Sequence, residues 1–151
     1  MLKKIFIYIL CLTPWFLNNI LPINYNYFNE INLPFFTPPP LFYSISWTII
    51  YILISISIYN IFISFKFKDI KISYKITLLI NYIFNQSFPI LFFMLKNPFL
   101  GFISSLGTFI STLFLYEETA LIQSKQSKLL IPYILLSLFA SILSLTIYLI
   151  N

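Results

Sequence analysis

The chain has 151 residues, 60% of them hydrophobic and only 9% charged, too few polar side chains to cover a soluble fold and too many apolar ones for a disordered chain. The net charge is +5, but every cation is Lys; without Arg, the bidentate reader of bases and phosphates, no nucleic-acid partner is expected. There is no His and Cys11 is the single Cys, which excludes disulfide scaffolds, zinc sites and His-based acid–base chemistry and leaves an integral membrane protein.

A membrane-crossing helix needs about 20 mostly apolar residues. The first candidate runs from about Ile5 to Leu21. Lys3-Lys4 and the apolar run behind them also fit a signal peptide. Thr13-Pro14-Trp15-Phe16 lacks a small-x-small cleavage pattern, however, so the segment is expected to stay as an anchor. The connection from Asn18 to Pro40 follows. It carries Tyr25, Tyr27, Phe28, Phe35 and Phe36, more aromatics than a disordered linker would hold, and is expected to fold over one mouth of the bundle. Further spans are predicted at about Leu41–Phe65, Ile76–Leu95, Phe99–Tyr116 and Leu129–Ile150. Apolar residues occupy all faces of each, and the in/out alternation of barrel strands is missing. The expected fold class is an all-α membrane protein, a five-transmembrane-helix bundle forming one membrane domain over residues 1–151.

Lysine placement sets the orientation. With five crossings, Lys3, Lys4, Lys66, Lys68, Lys71, Lys75, Lys125 and Lys128 fall on one side and Lys96 alone on the other. The positive-inside rule then puts the N-terminus in the cytoplasm and the C-terminus outside.

Three features rise above the apolar background. Asn85-Gln86-Ser87 sits mid-span, where polar groups turn inward, either as glue between helices or as ligand contacts. Pro89, just beyond, frees the Asn85 carbonyl from the helical ladder. At the start of the second span, the stiff Pro38-Pro39-Pro40 leads to Trp47 and Tyr51, which share a helix face. They suit the wall of a pocket for a flat apolar ligand, or an interfacial aromatic belt. Small residues line the fourth span at Ser104, Thr108 and Thr112, and the fifth at Ser137, Ser141 and Ser144 with Tyr148. They are read as close helix packing, with a homodimer through the fourth span left open. Glu117-Glu118 is read as the solvated end of the fourth helix. No charge lies inside a span, which argues against proton or ion pumping.

Together these blocks resemble the TspO/MBR family of translocator proteins and tryptophan-rich sensory proteins. Pro34-Phe35-Phe36-Thr37-Pro38-Pro39, then Trp47-Thr48 and Tyr51, is similar to P-x-W-x-P-P-x-W-V-F-G-P-V-W-T-x-L-Y. Asn85-Gln86-Ser87-Phe88-Pro89-Ile90-Leu91-Phe92-Phe93 is similar to N-W-x-W-P-x-x-F-F, and Leu129-Leu130-Ile131-Pro132-Tyr133 to L-L-x-P-Y. The resemblance implies a five-helix bundle with a pocket beneath the first loop that takes porphyrins, sterols and synthetic aromatic ligands. The matching ligand-binding positions are Tyr27, Pro38, Pro39, Trp47, Tyr51, Asn85, Phe88 and Ala140. It further implies a multi-pass protein of the bacterial cell membrane, in contact with membrane lipid and acting in sensing or transport. It implies no required cofactor or metal, with porphyrin as a ligand.

The chain departs from the pattern. Leu41, Gln86, Phe88, Leu136 and Tyr148 stand at family Trp positions, and Ser104 at a family Asp. Ser144, Leu145 and Leu149 replace the usual Asn, Tyr and Arg, so the C-terminal sterol-recognition motif is absent. The lack of Val and Arg beside abundant Ile, Phe, Tyr, Asn and Lys fits A/T-rich coding, a bias that also erodes Trp. Two further readings stay open: an enzyme that breaks down porphyrin in light, and a structural subunit with a collapsed pocket.

Overall fold

Prolines set three of the helix starts. Pro40, Pro98 and Pro132 each lie in the first turn of a helix, where a missing N–H leaves no bond unmade. The computed structural model describes residues 2–23 and 25–151, apart from the side chains of Leu2, Lys3, Asn19 and Tyr25. Lys3 in the charge count and Tyr25 in the loop therefore lie outside the described side chains.

The chain is helical, with no strand among the described residues. Helix α1 spans Leu2–Leu12 and tightens into a 3-10 segment at Thr13–Ile20. A short 3-10 turn at Tyr25–Asn29 lies within the connection to α2, Pro40–Ser64. Helix α3 is Ile72–Pro89, α4 is Pro98–Ser127 and α5 is Ile131–Ile150. Pro89 keeps helical dihedrals, and the defect it brings to the ladder is followed by one wide π turn at Ile90–Met94. That turn closes with Leu95 N–H donating to the Ile90 carbonyl at 3.0 Å.

Two boundaries differ from the sequence reading. Helix α4 continues past Glu117-Glu118 to Ser127, with a non-helical break at Gln123. A charged pair does not end a helix that can run on into water; here Glu118 accepts a 2.8 Å hydrogen bond from Ser73 at the start of α3. The first helix is shorter than expected, because Pro14 tightens its second half into 3-10 geometry.

Three helical runs are long and apolar enough to cross a bilayer: Pro40–Ser64, Ile72–Met94 and Pro98–Ile150; a shorter apolar helix covers Lys4–Asn18. The last run holds 53 residues, about 80 Å at 1.5 Å per residue, well beyond one bilayer. It turns back through the Gln123–Leu130 region, so that Phe99 at the start of α4 meets Tyr148 near the end of α5, ring centres 5.2 Å apart. Helix α1 runs antiparallel to α2: Tyr8 meets Tyr59 at 5.8 Å, and Ser55 Oγ donates to the Cys11 carbonyl at 3.2 Å.

Close packing of α3 on α4 depends on small residues. A Cβ added at Gly101 or Gly107 would collide with Phe92 or Phe84. Ser104 bridges the same seam, donating to the Phe84 carbonyl at 2.7 Å and lying 2.8 Å from Ser87 Oγ. The stripe Ser104, Thr108 and Thr112 is thus buried within the chain, as are Ser137, Ser141 and Ser144, whereas Tyr148 is exposed. Outward faces carry large apolar side chains such as Ile76, Leu79, Ile83 and Leu121, the surface a hydrocarbon solvent favours.

Candidate ligand cavity

A cavity of about 690 Å³ opens among α2, α3, α4, α5 and the two 3-10 segments of the loop end. Its volume lies within the range of about 300–1,000 Å³ usual for small-molecule sites. Five of the predicted residues meet on its wall: Trp47 and Tyr51 from α2, Asn85 and Phe88 from α3, and Ala140 from α5. The other three do not line it. Pro38 and Pro39 stop short and Pro40 takes their place. Tyr27 is turned to the far side of the loop, edge-on to Phe92 at 5.6 Å, with its hydroxyl donating to the Lys96 carbonyl at 3.2 Å. It lines a second, smaller cavity of about 410 Å³ with Asn97, Phe99, Tyr148 and Asn151. Burial raises the Tyr27 phenol above its ordinary pKa, with nearby Lys96 acting to lower it and Glu30 to raise it.

Aromatic rings build one side of the main cavity. The Tyr51 ring stacks on Trp15 at 5.7 Å and meets Trp47 at a tilt, ring centres 5.8 Å apart, which places both Trp residues of the chain against one Tyr. Trp47 in turn sits edge-on to Tyr133 at 6.0 Å. Phe88 stacks on Phe92 at 5.3 Å across the floor. Trp15 and Phe16 also line the cavity, a contribution of the first helix that span counting missed. The available signal was a rare Trp placed directly after the Pro that breaks that helix.

The polar groups divide by role. Asn85 lines the cavity, and its Oδ1 accepts from Tyr51 Oη and from Gln86 Nε2, both at 3.0 Å. With that oxygen doubly engaged, what Asn85 offers a guest is its amide N–H. Gln86 and Ser87 act as helix glue. Gln86 Nε2 reaches the Trp15 carbonyl at 3.4 Å, and the Gln86 carbonyl accepts from Asn18 Nδ2 at 3.1 Å, which ties the 3-10 segment to α3. Tyr82 adds a 3.0 Å bond to the Pro14 carbonyl.

One polar cluster was not singled out in the sequence. Asn81 is fully buried, donates to Ser111 and Thr112 at 3.0 and 2.9 Å, and accepts from the Tyr133 hydroxyl at 3.0 Å. It joins α3, α4 and α5 one turn from Asn85; its place on the same helix face was the signal.

None of the described residues lining the main cavity is charged. Its polar surface consists of amides and hydroxyls, among them Asn18, Asn29, Ser44, Thr48 and Ser137. Among the described residues no group of three or more His, Cys, Asp or Glu side chains could hold a metal ion. Such a lining can stack, donate and accept; it presents no nucleophile paired with a base.

A bundle of apolar helices enclosing a neutral, aromatic-walled cavity under a folded loop defines a helical membrane protein built around an internal hollow. The sequence model of the TspO/MBR family matches residues 6–149, and the chain belongs to that family. It is 34% identical over 150 residues to the "Tryptophan-rich protein TspO" of Bacillus cereus, covering 99% of this chain and 97% of that protein. It is 35% identical over 128 residues to the "Uncharacterized membrane protein YtaB" of Bacillus subtilis, with 85% and 82% covered. A "Tryptophan-rich protein TspO" of Archaeoglobus fulgidus is 34% identical over 125 residues, with 80% and 77% covered. The protein is therefore a multi-pass integral membrane protein.

Proposed function

We propose that this protein binds a flat hydrophobic ligand of the porphyrin or tetrapyrrole class and acts in sensing or transport, with five crossings of the cell membrane, the N-terminus in the cytoplasm and the C-terminus outside. The observation that carries the reading is the convergence of Trp47, Tyr51 and Asn85, from two helices, on one enclosed volume of about 690 Å³. A flat guest would stack on the indole and phenol rings while the Asn85 amide orients its polar edge. The five-crossing topology is supported by the antiparallel arms α1 to α5 and by the lysines. Lys4, Lys66, Lys68, Lys71, Lys75, Lys125 and Lys128 gather where α1 starts, α2 ends, α3 starts and α4 meets α5, and Lys96 lies at the loop end.

The test is a titration of purified protein in nanodiscs with a porphyrin, reading Trp fluorescence. Saturable quenching at one equivalent is expected; only linear, non-saturating quenching would remove the reading. The open volume also counts against a structural subunit with a collapsed pocket. The run of ring contacts from Trp15 through Tyr51 to Trp47 along the wall favours a second reading, light-driven breakdown of bound porphyrin through oxidisable side chains. Light-dependent product formed by a variant lacking both Trp residues would count against it.

A further inference from the structure

We propose that the lysine-rich end of the bundle, centred on the connection between α2 and α3, is a docking surface for anionic phospholipid headgroups. The proposal is independent of what fills the main cavity, which none of the described lysines lines.

Contacts across the bundle fix which helix ends lie together. Tyr8 of α1 meets Tyr59 of α2, ring centres 5.8 Å apart. Asn60 Nδ2 of α2 donates to Gln126 Oε1 at 3.0 Å, and Ser73 of α3 donates to Glu118 of α4 at 2.8 Å. These contacts gather Lys4, the four lysines from Lys66 to Lys75, and Lys125 with Lys128 at one end, with Asp69, Glu117 and Glu118 as the acidic residues there. At the other end Lys96 and Glu30 cancel in a salt bridge. The net positive charge of the described side chains therefore lies wholly at the first end.

Lysines at the ends of spans orient a chain during insertion. In the folded protein the same lysines stay uncompensated. The Lys96–Glu30 pair is the only salt bridge among the described residues, so no described lysine at the basic end is within ion-pair reach of a carboxylate. The connection from Phe65 to Lys71 also holds its charges in place. Asp69 N–H donates to the Lys66 carbonyl at 2.8 Å, and Ile70 is buried in the same core cluster as Tyr74. Phe67 meets Phe62 of α2 edge-on at 5.8 Å, and the Lys75 ammonium of α3 lies 4.2 Å from the centre of the Phe67 ring.

Charge selects an anion, and the apolar neighbours select one with a tail. Phe65, Phe67 and Ile72 are exposed among the lysines. A free anion would leave them in water, whereas a phospholipid meets the ammonium groups with its phosphate and covers the apolar side chains with its acyl chains. The depth is that of the headgroups, because α2 ends and α3 begins there. Each lysine close to an anionic surface favours binding by about fivefold.

The test is native mass spectrometry of the detergent-purified full chain, titrated with phosphatidylglycerol or with phosphatidylcholine of identical acyl chains. The first phosphatidylglycerol is expected to bind with a Kd lower by about tenfold or more. Lys66→Gln, Lys68→Gln and Lys71→Gln together, all at exposed side chains, should reduce that preference by about fivefold or more. Lys66→Arg, Lys68→Arg and Lys71→Arg together should keep it. Equal affinities for the two lipids overturn the proposal, as does a preference that survives the triple Gln substitution. An Arg variant that loses the preference as the Gln variant does overturns the charge argument. Displacement of the lipid by an equal concentration of soluble glycerol phosphate, or of oligoglutamate, would assign the surface to a free anion or to an acidic protein segment, and overturns the lipid assignment as well.

Discussion

Asn32 and Asn151 pair through both ends of one side-chain amide. The Asn32 backbone N–H donates to Asn151 Oδ1 at 2.8 Å, and Asn151 Nδ2 donates to the Asn32 carbonyl at 3.0 Å. The same nitrogen reaches the Ile147 carbonyl at 2.9 Å, so the loop over the cavity is tied to the last turn of α5. Asn151→Ala removes this tie, at a net cost of about 0.5–1.5 kcal/mol per hydrogen bond. Backbone amides around Asn32 should then exchange with deuterium about tenfold faster, with α3 and α4 unchanged. Unaltered protection would mean that apolar packing of Ile31 and Phe36 holds the loop by itself.

Asn81 should matter more for stability than any surface polar residue. Asn81→Ala takes the acceptor from the buried Tyr133 hydroxyl and the amide donor from Ser111 and Thr112, whose own hydroxyls stay bonded to helix carbonyls, a loss of about 1–3 kcal/mol, towards the lower end in lipid. Thermal unfolding in detergent should show a midpoint several degrees lower, and Tyr133→Phe, which removes a single one of these bonds, a smaller drop. Equal midpoints for Asn81→Ala and the unmodified protein would show that the network contributes nothing net.

The two glycines of the α3–α4 seam make a contrasting pair. Gly101→Ala pushes on Phe92, which is fully buried and lines the cavity; Gly107→Ala pushes on Phe84, which does not line it. Each should lower stability by about 1–3 kcal/mol through overpacking. Porphyrin affinity of the folded fraction should fall for Gly101→Ala and hold for Gly107→Ala. A reversed pattern would place the ligand elsewhere.

Because Trp15 and Trp47 both line the cavity, a titration cannot assign quenching to one of them in the unmodified protein. Trp15→Phe and Trp47→Phe should each retain one indole that a bound porphyrin quenches to saturation, with similar midpoints. A remaining indole that stays bright at saturation would lie outside the binding volume.

The membrane class and the helices were legible because hydrocarbon demands long apolar runs with every backbone bond made internally, a demand visible in one dimension. Helices α2 and α3 fall within a few residues of the predicted spans, and the family blocks around Trp47, Asn85 and Tyr133 are readable motifs. The far end of α4 was not legible. Charge marks where a helix can meet water, and α4 runs on past Glu117-Glu118 without stopping.

Which side chains share the interior was decided only in three dimensions. The amide triplet on α3 reads as one polar unit along the chain. Successive residues on a helix point about 100° apart, so Asn85 turns to the cavity while Gln86 grips the first helix and Ser87 meets α4. Trp15 enters the cavity wall, and Tyr27 leaves it, because of how the 3-10 segments fold back over the bundle, a matter of long-range contacts that no local pattern encodes. Composition dictated the solvent in which this chain folds; packing of distant residues decided what the hollow at its centre presents.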